Sequence, residues 1–283
     1  MNAIREGGQM KICLNEATTM PYSLKQDIIS LGESKMFDGI EIWAEKLRKF
    51  LTDGSEQSLK EIIAKNNLRV AAICPFFLRS FGDMAQTINE IKWGSKIAFN
   101  LSCDVLLLCP DAPPSNLSYP EAVKIAGKAL KECCKITGNY GIRIALEPLG
   151  MHPFIPGPKQ AMDIIKESQS ENAGFIMDTF HYYKSGISIK EIENIPIEKL
   201  LIVHVNDCED RPKEELNDGH RLYPGLGVIP VYDILKVLKD KNYNGFLSIE
   251  IFREEYWKHP LPTIIENSYK SLKSIIDKLQ KNG

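Results

Sequence analysis

The 283-residue chain carries 35 Lys and Arg against 37 Asp and Glu, a formal net charge of -2, with 43% hydrophobic and 25% charged residues. This balance is ordinary for a globular protein and excludes a nucleic-acid surface built on bulk charge; no apolar run reaches the length of a membrane span. The seven cysteines (Cys13, Cys74, Cys103, Cys109, Cys133, Cys134 and Cys208) are odd in number and form no CxxC pair, which excludes zinc-ribbon and thioredoxin-type sites and predicts reduced core thiols in a cytoplasmic protein.

Residues 1–9 lack the apolar core of a signal peptide and are expected to form a flexible leader, with residues 10–283 as one domain. The first strand is predicted over 10–14, ending at Asn15-Glu16, with a helix over 24–31. A strand over 39–42, with Glu41 and Trp43 near its end, precedes a helix over 57–66. Strand three, 69–73, is closed by Cys74-Pro75 and followed by a long helix over 84–99. The apolar strand 105–108 continues into Cys109 and a Pro-rich loop, 110–114; Pro120 then sits where a helix N-terminus favours it, before a helix over 121–139. Strand 143–147, loop 148–158 and helix 159–168 make the next unit, and strand 174–178 leads into the segment 181–186 and a short helix, Ile189–Glu193. Strand 200–204, a long loop over 205–230 and a helix over 231–241 follow, and the chain closes with strand 246–251 and a helix over 262–278.

Eight strictly alternating strand–helix units imply a parallel sheet, and at this length a closed (β/α)₈ TIM barrel, which takes about 250 residues. The alternative, an open doubly wound sheet, lacks a Gly-rich first turn. Four consecutive apolar strands end in Glu147, Asp178, His204 and Glu250. In a barrel the C-terminal strand ends share one face, so these four converge on one mouth. Three carboxylates there repel one another unless something cationic joins them. Salt bridges to Lys or Arg across the barrel are one solution, but no Lys or Arg lies within two residues after any of the four. One divalent ion is the other; three carboxylates and an imidazole suit Mn²⁺, Co²⁺, Mg²⁺ or Zn²⁺ without choosing among them.

The set Ala-Leu-Glu147, Met-Asp178-Thr-Phe-His181, His204-Val-Asn-Asp207 and Ile-Glu250-Ile-Phe-Arg253 resembles the xylose-isomerase-like sugar isomerase/epimerase superfamily. Within it the inosose (2-keto-myo-inositol) isomerases are the nearest look, through Leu-Asn15-Glu-Ala-Thr-Thr19, Arg221-x-x-Pro-Gly225-x-Gly227 and the ending Glu250–Tyr256. The resemblance covers nearly the whole chain. It implies an isomerase with Glu147, Asp178, His204 and Glu250 as metal ligands, Glu147 and Glu250 doubling as the proton-transfer pair, and His181 touching a substrate hydroxyl. Two departures lie at the expected substrate rim: Trp43 stands where the inosose isomerases carry an arginine, and the loop from Cys109 to Pro114 differs from theirs.

Moving a carbonyl to the neighbouring carbon of a polyol needs a base for the α-proton, an acid for the other carbon and charge stabilisation between them, and two glutamates beside a metal meet that demand. His181 either orients a hydroxyl or packs under its loop. Asp207, a further substrate-binding candidate, either holds His204's free N–H or caps the next turn. Arg211 and Arg221 are candidate substrate contacts in the long seventh loop, with Arg221 preferred. Glu41 and Glu16 either line the mouth or are structural, and Phe76, Phe77, Tyr182, Tyr183 and Trp257 either wall the pocket or pack in the core. The expected partner is a small unphosphorylated carbohydrate, with neither nucleic acid nor membrane; a homo-oligomer is compatible with this reading. Competing functions are a keto-inositol dehydratase, a ketose 3-epimerase, a non-catalytic sugar-binding barrel and an abasic-site endonuclease. The endonuclease needs histidines on early strands, whereas all five here follow Glu147.

Overall fold

The computed structural model describes residues 10–281, so the expected leader, residues 1–9, lies outside the described residues. Eight parallel strands close a barrel: β1 (Lys11–Asn15), β2 (Gly39–Trp43), β3 (Arg69–Leu78), β4 (Val105–Pro110), β5 (Arg143–Leu146), β6 (Ala173–Asp178), β7 (Leu200–Val205) and β8 (Phe246–Ile249), with β8 pairing back to β1. Strand residues alternate between two apolar layers, as the two-residue period of a strand requires. Leu106, Ile144 and Val203 face the large core beneath the helices, whereas Leu107, Ala145, Ile176 and Ile202 pack with Cys13 in the smaller cluster inside the barrel. Two residues beyond the inward-facing Ala145, Ile176 and Ile202 stand Glu147, Asp178 and His204. The inward parity that fills the barrel below therefore aims these polar side chains into its mouth.

Helices α1 (Leu24–Ser34), α2 (Ala44–Asp53), α3 (Glu56–Lys65), α4 (Met84–Asn100), α5 (Tyr119–Gly138), α6 (Pro158–Ser168), α7 (Thr179–Lys184), α8 (Ile189–Glu193), α9 (Val231–Asp240), α10 (Glu254–Trp257) and α11 (Leu261–Lys281) complete the fold. Serines form capping boxes at Ser23, Ser55, Ser118 and Ser188, where side chain and backbone satisfy each other's free N–H groups. None of the described helices is long and apolar enough to cross a membrane.

The structure corrects the expected elements at four places. Helix α2 starts directly after β2 with no side-chain cap to mark it, burying Ala44 and Leu47 and packing the half-buried Phe50 and Leu51 on the core. Strand β3 runs on to Leu78 through Pro75, with a register shift against β4 between Ile73 and Phe76 that accommodates the missing N–H. The segment after Asp178 is helical because the Asp178 carboxylate accepts the backbone N–H of Phe180 (2.7 Å) and His181 (3.1 Å). The loop 205–230 is not open. Asp207–Cys208 pairs antiparallel with Arg221–Leu222, bringing Arg221 back over the barrel mouth.

Candidate active site

His204 stands level with Asp178 on β6 and with Ser248 on β8. Its Nε2 lies 2.9 and 3.0 Å from the two carboxylate oxygens of Glu41, which also accepts the Ser248 hydroxyl at 2.5 Å. Burial opposes charge on Glu41, but the His204 ring and these hydrogen bonds hold its carboxyl below the usual range. A carboxylate only accepts, so Nε2 carries the proton, and Nδ1 presents its lone pair to the barrel axis.

There Nδ1 faces Glu250 Oε2 at 3.0 Å, Asp178 Oδ2 at 3.7 Å and Glu147 Oε1 at 3.8 Å, yet it makes no aligned hydrogen bond. One donor atom from each of Glu147, Asp178, His204 and Glu250 lies within 4.8 Å of the others, and all four residues are buried. A lone pair aimed at three acidic oxygens is repulsive unless a cation or a proton stands between them. Without a metal the cluster resolves this by holding protons. Burial, reinforced by Glu250 and Asp178 against the pull of His204, pushes Glu147 up to about 8. Burial resists charge on the imidazole, but Glu250 and Glu41 outweigh it and raise its pKa well above 6.5. Three carboxylate oxygens and the orphaned His204 Nδ1 fit a divalent cation, which removes both protonations at once.

A permanent cation also sits here. Arg221 is 1% exposed; its Nη1 lies 2.7 Å from Asp178 Oδ2 and 3.0 Å from Glu250 Oε2, and Nε and Nη2 bond Asp218. Ion pairing across the barrel and a metal-type donor set thus coexist, because the arginine arrives from a loop seventeen positions after His204, beyond any local spacing test. Burial disfavours charge on Asp178, but Arg221 and His181 hold its carboxyl well below the usual range. Arg221 Nη2 reaches His181 Nε2 at 3.3 Å. A guanidinium only donates, so His181 accepts at Nε2 and carries its proton on Nδ1, which is buried without a partner. Burial and the neighbouring Arg221 lower His181 to about 4, leaving it neutral at pH 7 with one unused donor.

Glu147, His181, His204, Arg221 and Glu250 floor a cleft of about 150 Å³, roughly the volume of five waters and enough for one small ring. Its walls are largely apolar: Trp43, Pro75, Phe77, Leu107, Leu149 and Phe252. Trp43 meets Phe252 edge to face at 5.7 Å. Of the other aromatics weighed from the sequence, Phe76 and Tyr182 are buried in the core, Tyr183 lies under Lys213, and Trp257 Nε1 donates to the Ala17 carbonyl.

Two expected substrate contacts do not reach the cleft. Arg211 is exposed and paired with Glu209 at 2.6 Å, two residues away on the same loop. Asp207 does not hold His204, whose proton goes to Glu41. Its carboxylate accepts the backbone N–H groups of Cys208, Gly225, Gly227 and Ile229 at 2.8–3.0 Å, fastening the loop that carries Arg221. Gly225 has φ +83°, and a Cβ on Gly227 would lie 2.0 Å from the Cys208 carbonyl, so the Gly-x-Gly pair wraps an internal carboxylate where a phosphate-binding turn would wrap a ligand. Glu16 turns away as well, accepting the Trp43 N–H at 2.9 Å beside Lys46 and Asp27. Glu41, undecided from the sequence, proves to be the partner of His204; a lone carboxylate between two isoleucines in a buried strand was the available signal. Asn206, bonded to Asp178, Thr179 and the Glu250 carbonyl, had no such signal.

The sequence matches the family described as xylose isomerase-like TIM barrel over residues 30–275. The chain belongs to this family. Inosose isomerases are similar over almost their full length: that of Halalkalibacterium halodurans is 30% identical over 95% of this chain and 97% of its own, and that of Bacillus velezensis is 31% identical over 95% and 98%. A crystal structure of the IolI protein with a bound zinc atom superposes with a TM-score of 0.89 at 30% identity, covering 95% of this chain and 99% of that one. Within the xylose isomerase-like barrels, these relatives make the present chain an isomerase.

Proposed function

We propose that this xylose isomerase-like barrel interconverts neutral cyclic keto-polyols of the inosose type, using one divalent ion and the pair Glu147 and Glu250. The observation that carries the reading is the unpartnered His204 Nδ1 facing three carboxylates within 4.8 Å. When bound, the ion supplies positive charge beside the substrate oxygens at the moment the α-proton leaves. The chain's own part is proton movement. One glutamate takes the proton from the hydroxyl-bearing carbon, the other delivers a proton to the former carbonyl carbon, and the hydroxyl proton passes between the two oxygens. His181 lines the cleft beside Arg221 and would touch a ring hydroxyl. The cleft favours an uncharged substrate: Arg221 is its one Lys or Arg among the described lining residues and is already engaged by Asp178, Glu250 and Asp218, so apart from the proposed ion no basic side chain is free to pair with a carboxylate or phosphate. The seven free cysteines suit a reducing cytoplasm.

Incubation with an inosose in D₂O, followed by NMR, tests this directly. Carbonyl migration with solvent deuterium incorporated and no loss of water is expected. An absorbing dione would instead identify a dehydratase, and turnover of free ketohexoses with the inosose untouched would identify a ketose 3-epimerase.

The metal has its own test. Purified protein should carry about one divalent ion per chain, zinc being the first candidate from the IolI structure, and chelation should lower Tm because an ion bound only by the native state stabilises it. Binding must displace the proton that Glu147 holds up to about 8 as well as the one on His204, so affinity should rise at least about tenfold per pH unit between 6 and 8. An affinity independent of pH between 6 and 8 would show that Glu147 is not a ligand.

A further inference from the structure

The segment Asn15-Glu-Ala-Thr-Thr19, which opens the chain's first loop, holds Glu250, one of the four candidate ligands, at three points. Thr18 donates its hydroxyl to the Ile249 carbonyl at 2.8 Å and accepts the Ile251 N–H at 3.0 Å, so one side chain clamps the backbone on both flanks of Glu250. The side chain is held from β1. Asn15, wholly buried, accepts the Ala17 N–H at its Oδ1 (2.8 Å), an Asx-type turn that starts the short 3₁₀ segment after the strand. That bond fixes which way the amide faces. Its Nδ2 has to point inward, where it meets Glu250 Oε1 at 3.1 Å and the Cys74 sulfur at 3.4 Å.

A glutamate carboxyl turns readily about its last torsion, and its two oxygens are then interchangeable. Here they are not. An amide N–H binds Oε1, while Oε2 faces His204 Nδ1 and Arg221 Nη1, both at 3.0 Å. Building on the role proposed above for Glu250, we infer that Asn15 is the positioning residue of this glutamate: its Nδ2–H locks Oε1 and so reserves Oε2 for the metal-facing side. The Asn15 turn and the Asn15 donor are separable chemically, which makes the inference testable. Aspartate keeps the Oδ1 that caps Ala17 and replaces only the donor, setting an acceptor against Oε1. Alanine removes both.

Asn15→Asp and Asn15→Ala are compared with the wild type in three measurements: Tm of the holoprotein, kcat and KM, and the visible spectrum of the protein loaded with Co²⁺ as probe. Asn15→Asp is expected to lower kcat about 10–100-fold at nearly constant KM, the usual size of an outer-partner effect, and to alter the Co²⁺ band, whatever Tm its added buried charge costs. If Asn15 serves only its turn, Asn15→Asp retains full kcat and the wild-type Co²⁺ spectrum while Asn15→Ala loses Tm; that result overturns the inference. Should the wild type fail to isomerise inososes, the functional proposal falls, but the Co²⁺ spectrum of Asn15→Asp still decides the positioning role: a shifted band upholds it and an unchanged band rejects it.

Discussion

Replacing Glu147 or Glu250 by glutamine should cost most of the isomerisation, and the two variants should fail in different half-reactions. Positioned acid–base groups are commonly worth about 10²–10⁴-fold, and any weakened ligation adds to that. The two carboxyls approach His204 Nδ1 from different strands, Oε1 of Glu147 at 3.8 Å and Oε2 of Glu250 at 3.0 Å. Their remaining oxygens have unlike partners: Glu147 Oε2 accepts the Cys109 thiol at 3.2 Å, and Glu250 Oε1 the Asn15 amide. If each glutamate serves one carbon, a variant that keeps one base still exchanges the α-proton of one isomer with solvent, and the reciprocal variant exchanges the other. Deuterium wash-in followed by NMR on each ketone reads this, once metal content is shown to equal that of the wild type. Equal loss of exchange from both isomers in both metal-replete variants would rule out the two-base scheme in favour of a single shuttling base.

The second large effect concerns Arg221. Arg221→Met keeps the length of the stem over Phe180 and Phe252 but removes the charge that faces Asp178, Glu250 and Asp218. Taking one member from a buried ion pair costs about 3–5 kcal/mol, because the carboxylates left behind are neither solvated nor paired. For a domain of this size that is a fall in Tm of order 10 °C in the chelated protein. A divalent ion neutralises two of the same three carboxylates, so with metal added the fall should shrink well below that. The ion itself should remain at about one per chain, with KM raised or kcat lowered. An identical loss of Tm with and without metal would mean that Arg221 and the ion do not share the charge of Asp178 and Glu250.

Much of this was legible before any coordinates. Apolar runs that end in Glu147, Asp178, His204 and Glu250 specify buried parallel strands, and their regular alternation with amphipathic helices leaves a closed barrel as the packing solution. A strand's two-residue period does the rest. If Ala145, Ile176 and Ile202 fill the barrel, the residues two further on point into its mouth, so three of the four polar side chains are brought together by parity that is already written in the sequence.

What the sequence by itself determined is therefore whatever depends on position along a strand: the barrel, the four converging donors and the face on which they meet. Tertiary structure alone decided whatever depends on a chain returning from elsewhere. Arg221 reads as a mouth residue on an open loop, but the ladder between Asp207–Cys208 and Arg221–Leu222 folds it down onto Asp178 and Glu250. Asp207 reads as a partner for His204 because it is three residues away; strand geometry turns it outward to four backbone N–H groups, while Glu41, paired with Asn15 across β1 and β2, accepts the imidazole N–H from across the barrel. Such pairings rest on barrel closure, which sets residues more than a hundred positions apart within hydrogen-bond distance. No local period encodes that distance, so the chain has to close before it exists.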